Sequence, residues 1–189
     1  LNVLYIVPDR AMCSEVQRRD DKIAFNVLQE YARSGVFESI FLVHRQSVDG
    51  LVGDVAIQEY ENSVSYFISY IVAMINFFNH TKPILANKIE PHKISRLATF
   101  GVSSLDEDQR DIKLLFPLEQ ARDIHFFYGI PESDLDEDPS LTNKIKQHVK
   151  SFKEEDMSTS FSVYSTDFEK LMVLCVAYSS EIQPVLDTI

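Results

Sequence analysis

Apolar residues run without interruption from Val3 to Val7 and stop at Pro8, the pattern of an interior strand closed by a residue that cannot extend it. Asp9 to Asp21 is charged and reads as a loop containing a helical turn. From Lys22, the positions Ile23, Phe25, Val27, Leu28 and Tyr31 form a loosely helical stripe, and Gly35 stands where a C-cap glycine belongs. Phe37 to Val43 then becomes continuously apolar, as in a parallel strand covered on both faces. Strand, helix and strand over this length predict a right-handed parallel crossover.

The strongest element lies between Gln58 and Asn79, a stretch free of Gly and Pro. Tyr60, Val64, Phe67, Ile68, Ile71, Val72, Ile75 and Phe78 recur there at helical spacing, predicting a helix about 33 Å long. Tyr66, Tyr70, Met74 and Phe77 add apolar bulk to the opposite face, which favours a helix sandwiched between two layers. A buried core helix of a single domain is the other reading of this periodicity.

Beyond Pro83 the pattern changes. Asn87 to Ile94 reads as a polar loop leading to a short helix over Lys93 to Thr99, stopped by Gly101. Strand-like runs follow at Asp111 to Phe116 and Arg122 to Ile130. Ser140 to Phe152 reads as a helix with Asp138 as N-cap and Pro139 in its first turn. Ser160 to Tyr164 and Leu171 to Tyr178 look like a closing pair of strands joined by a polar turn. The second half is therefore α+β.

Composition narrows the function classes. At 45% hydrophobic residues, with 13 Phe and 8 Tyr among 189 residues, the chain is globular. A net charge of -11 argues against a phosphate-tracking nucleic-acid binder, which needs a basic face. Cys13 and Cys175 form no ligand or disulfide pattern, so no metal is expected and a reducing cytoplasm is the default localisation. The apolar stretch Val64 to Phe78 is interrupted by Ser65, Ser69 and Asn76 and is too short for a membrane span. Asp134, Asp136 and Asp138 imitate the start of a calcium loop, but Pro139 and Ile145 stand where that loop needs Gly and Glu, so a solvated acidic loop is expected. The five His show no metalloprotease spacing, and no nucleophile elbow is present.

The order of elements resembles the tubulin/FtsZ superfamily, and within it the plasmid and phage tubulins of the TubZ and PhuZ kind. The resemblance rests on Tyr5-Ile-Val-Pro and its charged loop, the helix ending Val27-Leu-Gln-Glu-Tyr, Phe37-Glu-Ser-Ile-Phe-Leu-Val, the long helix, and Asn87-Lys-Ile-Glu. It implies an α/β fold class: a remnant parallel β-α-β of a GTPase domain over 1–57, a central linking helix over 58–82, and an α+β activation domain with a small mixed sheet over 83–189. The family's glycine-rich phosphate loop, whose backbone N–H groups cradle the nucleotide, has no counterpart here. The chain also opens in mid-strand at Leu1, so it reads as the C-terminal portion of such a protein. GTP or GDP with Mg2+ is implied for the intact protein, and tight nucleotide binding is not expected of this chain alone.

The same resemblance suggests site residues. Asn62, near the start of the long helix, and Arg45, just after the second strand, correspond to nucleotide contacts, with His44 standing where relatives often carry Asn. Glu15, Arg18 and Arg19 fall in the loop that relatives use for ribose and phosphate; a solvated charge cluster is the favoured reading there. Asn62 as an ordinary polar residue of the helix's first turn has equal standing. After the helix, relatives use two acidic residues to polarise water against the neighbour's γ-phosphate. Glu90 fits the first position, whereas the second falls on His92 or Lys93; a plain exposed turn over Asn87 to Lys93 is the competing reading. The implied function is a filament-forming, GTP-hydrolysing cytoskeletal protein that positions or segregates plasmid or phage DNA. Its partners would be further copies, joined head to tail, and an adaptor protein, with neither nucleic acid nor membrane bound directly. A non-hydrolysing tubulin-like scaffold or interaction module is the alternative.

Overall fold

In the computed structural model, which describes residues 1–86, 90–106, 111–153 and 155–186, the chain forms one seven-stranded mixed sheet with helices on both faces. The first unit is the expected parallel strand-helix-strand, although its first strand is an edge strand among the described residues, with Leu4 and Ile6 partly exposed, and not the interior strand that its apolar run suggests. β1 (Asn2–Val7) pairs in parallel with β2 (Ser39–His44), in register from Asn2 opposite Ser39 to Val7 opposite His44. Between them lies α1 (Glu15–Arg33), which begins seven residues earlier than the apolar stripe starting at Lys22 indicates. Local chemistry explains the early start: the Ser14 hydroxyl accepts from Gln17 N–H, and the Gln17 side chain accepts from Ser14 N–H. Gly35 follows the C-cap with φ of 87°, a left-handed conformation that glycine adopts without strain.

A short helix not expected from the sequence, α2 (Arg45–Val52), leads to the long helix α3 (Tyr60–His80). Then come β3 (Leu97–Ser103), β4 (Lys113–Leu114), β5 (Asp123–Pro131), α4 (Glu132–Glu137), α5 (Leu141–Ser151), β6 (Ser158–Thr166) and β7 (Met172–Ser179). Three expectations are corrected in this half. Leu97 to Ser103 is a strand, because every residue from Leu97 to Gly101 is buried between two layers and a short amphipathic helix would expose some of them. The two closing strands are not neighbours: β5 lies between them, parallel to β6 and antiparallel to β7. The acidic residues Asp134 and Asp136 lie on α4 instead of in a loop. The C-terminal helix stands where expected, although Ser140 and not Asp138 is its N-cap; Asp138 accepts from both the N–H and the hydroxyl of Ser140 and from Lys144.

The strand order β1-β2-β3-β7-β5-β6 joins both halves, with β4 on the side of β3. The seam is short, only Ile40 opposite Leu97 and Phe41 opposite Ala98. Beyond it the 113–116 segment wedges between the diverging strands, with His44 N–H donating to Leu115 C=O and Leu115 N–H to Phe100 C=O. The sheet therefore crosses residues 57 and 83 without a break.

Alternating residues of each strand sort into layers. Val43, Ala98, Phe100, Phe127, Leu174 and Val176 face α3, which buries Val64, Ile68, Ile71, Ile75 and Phe78 against them. On the other face, Ile40, Leu42 and Leu97 pack under α1 through Phe25 and Ala32. Phe126, Tyr128, Val173 and Cys175 pack under α5 through Leu141 and Ile145. The expectation that α3 is sandwiched between two layers is corrected: Tyr66 is 71% exposed and Phe77 47%, so its second apolar face is open. Tyr66 and Tyr70, one helical turn apart, stack with centroids 6.2 Å apart, which reduces the apolar surface they show to water.

Candidate functional site

In open parallel sheets, ligands bind beyond the carboxyl ends of the strands. Here β1 and β2 end together at Val7 and His44. The Pro8–Ser14 connection, the start of α1 and the start of α2 gather at that end. Arg45 begins α2 and donates to the Glu61 carboxylate in the first turn of α3. Its guanidinium also lies 5.3 Å from the centre of the Tyr60 ring, and the Tyr60 hydroxyl donates to Asp49 at 2.6 Å. The hydrogen bonds that Arg45 donates to the Tyr60 and Glu61 oxygens hold its pKa above the ordinary value. His44 is half-buried, and burial holds its imidazole below the ordinary value despite nearby Asp9 and Asp49.

The sequence-derived contacts are brought to this end of the sheet but not into one cluster. Asn62 is exposed in the first turn of α3. Glu15 and Arg19 are exposed in the first two turns of α1, with Arg19 3.7 Å from Asp20, and Arg18 donates to Cys13 C=O. Among the described residues no hydrogen bond or ion pair joins Glu15 or Arg19 to Arg45 or Asn62. A groove of about 520 Å³ starts at Arg45 and Glu61 and runs along α3 beside Leu4 and Ile6 of β1 to Asn76. Its aliphatic walls suit a packed chain segment and not a phosphate. Arg45, Glu61 and Tyr60 thus form a polar rim at this end of the sheet, above an aliphatic groove.

Glu90 lies at the opposite end. It is exposed, and it lines a polar cavity of about 400 Å³ with Asn79 of α3 and with Asn2 and Ser39, the first residues of β1 and β2. Asn87, Lys88 and Ile89 fall outside the described residues. The structure adds a carboxylate that sequence spacing missed: Asp123 at the start of β5, whose Oδ2 accepts from His92 N–H at 3.2 Å. Burial, then Glu90, then Asp123 push the Tyr178 hydroxyl up to about 12, so both carboxylates act on one buried phenol. No local pattern could reveal this, because Asp123 is separated from Glu90 by two strands. Among the described residues, no group of three His, Cys, Asp or Glu could hold a metal ion. No helix among them is long and apolar enough to cross a membrane.

No family model matches this sequence, and no curated protein matches it. Solved structures do. The chain superposes on an FtsZ dimer structure from M. jannaschii with a TM-score of 0.65 at 11% identity, over 94% of this chain and 54% of that one. The fold is tubulin/FtsZ-like. The tubulin-like chains it matches include TubZ of Bacillus thuringiensis serovar israelensis in a GDP-form protofilament, with a TM-score of 0.60 and 11% identity over 97% of this chain and 56% of that one. CetZ from Methanosaeta thermophila matches with a TM-score of 0.60 and 13% identity over 95% of this chain and 52% of that one. The chain thus spans little more than half the length of the solved tubulin-like structures it matches.

Proposed function

We propose that this chain is the C-terminal portion of a tubulin-like, GTP-binding cytoskeletal protein that assembles head to tail into filaments. The observation carrying this reading is the placement of the two candidate groups at opposite ends of α3. Arg45 and Asn62 stand at its start, Glu90 beyond its end, and 21 helical residues separate them by about 30 Å. Groups that far apart cannot act on one ligand within a single subunit. Stacked head to tail, the Glu90 end of one subunit meets the Arg45 end of the next, a heterologous contact that repeats without closing. Glu90 then serves the neighbour's nucleotide as an acceptor for the attacking water's proton. Filaments and dimers among the solved matches support self-association.

In a protein that joins this chain to a phosphate-binding half, GTP should produce sedimenting polymer. Glu90→Ala should slow phosphate release and prolong the polymer while leaving nucleotide binding intact. Normal hydrolysis by Glu90→Ala would remove Glu90 from this role. The second reading, a scaffold without turnover, draws on His92 and Lys93 at the second acidic position. Its signature is polymer formed with GTP and no phosphate released.

A further inference from the structure

After β7 the chain leaves the sheet and crosses back over the first unit without forming helix or strand. Gln183 holds it there. Although it lies in a loop, Gln183 is 1% exposed, and Gln29 of α1 is 0% exposed. The two residues exchange hydrogen bonds: Gln183 N–H donates to Gln29 Oε1 at 2.7 Å, and Gln29 Nε2 donates to Gln183 C=O at 3.2 Å. The Gln183 side chain makes a second exchange with Glu119, accepting from its N–H at 2.7 Å and donating to its C=O at 3.2 Å. A primary amide has both the donor and the acceptor that this slot requires. Three residues on, Leu186 C=O accepts from Arg10 Nη1 at 3.0 Å. Arg10 opens the 3-10 turn Arg10–Met12 at the carboxyl end of β1, beside the rim described above.

We infer that residues 180–186 form a latch, fastened by Gln183, that sets the seating of the Arg10 turn. The Gln183 hydrogen bonds and the packing of Val185 and Leu186 beneath α1 hold the segment in place of a ladder or helix, so these few contacts decide whether it opens. Opening removes the Leu186 acceptor from Arg10, which keeps its Asp21 pair but has one contact fewer to seat the turn that ends at Cys13. By linkage, whatever draws this segment off the body loosens the rim, and whatever orders the rim tightens the latch. The coupling to nucleotide rests on the function proposed above; the latch itself does not.

The two thiols supply the readout. Cys13 is half-exposed at the end of the Arg10 turn, whereas Cys175 is fully buried in the central strand β7. Alkylation by N-ethylmaleimide, followed by mass spectrometry, is compared in the native chain and in Gln183→Glu. The variant is isosteric, but it loses the donor facing Glu119 C=O. Cys13, whose thiol donates to Asp9 C=O at 3.4 Å in the seated turn, should react about twofold to threefold faster once the turn loosens, a gain bounded by the exposure it already has, while Cys175 stays protected. Gln29→Ala, which leaves Gln183 in place, should do the same and serves if Gln183→Glu does not fold. An unchanged Cys13 rate overturns the latch. So does acceleration of both thiols together, which would make the segment an ordinary part of the core. Neither result depends on nucleotide, so failure here is distinct from failure of the GTP reading.

Discussion

The Arg10 guanidinium sits on the Asp21 carboxylate with Nη2 2.6 Å from Oδ2, and the two side chains are 5% and 6% exposed. Tyr5 completes the group by donating its hydroxyl to Asp21 Oδ1 at 2.6 Å. Burial first, and then Asp21, hold the Tyr5 hydroxyl well above its ordinary pKa, so it stays a donor at any ordinary pH.

Removing one member of this pair strands the other charge away from water. Arg10→Met or Asp21→Leu alone should each destabilise the chain by about 3–5 kcal/mol in urea melts. The double variant should cost clearly less than the two together, because the stranded charge is gone. Additive losses would show that the pair is not a coupled unit.

Gly101 carries a different constraint. A Cβ there would stand 2.7 Å from Cys175 Sγ and 2.9 Å from Leu114 Cδ2, closer than packed atoms approach. Gly101→Ala should therefore cost about 1–3 kcal/mol of stability, read as a lowered urea midpoint. Cys175→Ala should recover part of that loss in the double variant, since it removes the nearer clash. No recovery would place the strain on Leu114 and Ile112, whose Cγ2 would stand 3.2 Å away.

Gly101 also shows where sequence reading stops. On its own it looks like a helix stop, and only the tertiary packing of Cys175 against it reveals a strand glycine chosen for space. The parallel β-α-β unit and α3 were legible because their apolar periods are long and uninterrupted. The start of α1 was not, since the Ser14–Gln17 capping box sits inside a charged stretch with no apolar period. The adjacency of β5 to both β6 and β7 is a long-range pairing that local pattern does not encode. For the site, Asn62 lies in the first turn of the long helix and Glu90 after it, as the sequence order implies, whereas Arg45 begins a helix that the sequence did not suggest. Nor could the sequence show that Glu61 already holds Arg45, or that Asp123 arrives beside the Glu90 loop.

Alkaline pH should weaken this fold. Burial pushes the Cys175 thiol up to about 12, and burial with Glu90 and Asp123 pushes Tyr178 to about 12. In the unfolded chain both groups ionise near their ordinary values, about 8.5 and 10. Between those values and 12 the unfolded state binds fewer protons than the folded one, so stability falls as pH rises. The urea midpoint should hold at pH 7 and drop steadily from about pH 9 upward. Cys175→Ala should delay the onset toward pH 10; an onset unmoved by that variant would assign the whole effect to the tyrosines.

The Arg45–Glu61 pair offers the cleanest separation of function from stability. Both groups keep access to water, with 29% and 72% of their side chains exposed, so breaking the pair should change stability by less than about 1 kcal/mol. The two variants should nevertheless move nucleotide affinity in opposite directions. Arg45→Met removes a cation from the rim and, on the proposed function, should weaken GTP binding in a protein that joins this chain to a phosphate-binding half. Glu61→Gln releases Arg45 from its carboxylate and removes a negative charge from the rim, so it should tighten binding of the anionic nucleotide. Anisotropy of a fluorescent GTP analogue, read beside urea melts of the same variants, measures both quantities. If Glu61→Gln binds more weakly than the native protein, Arg45 is serving α3 and not the nucleotide.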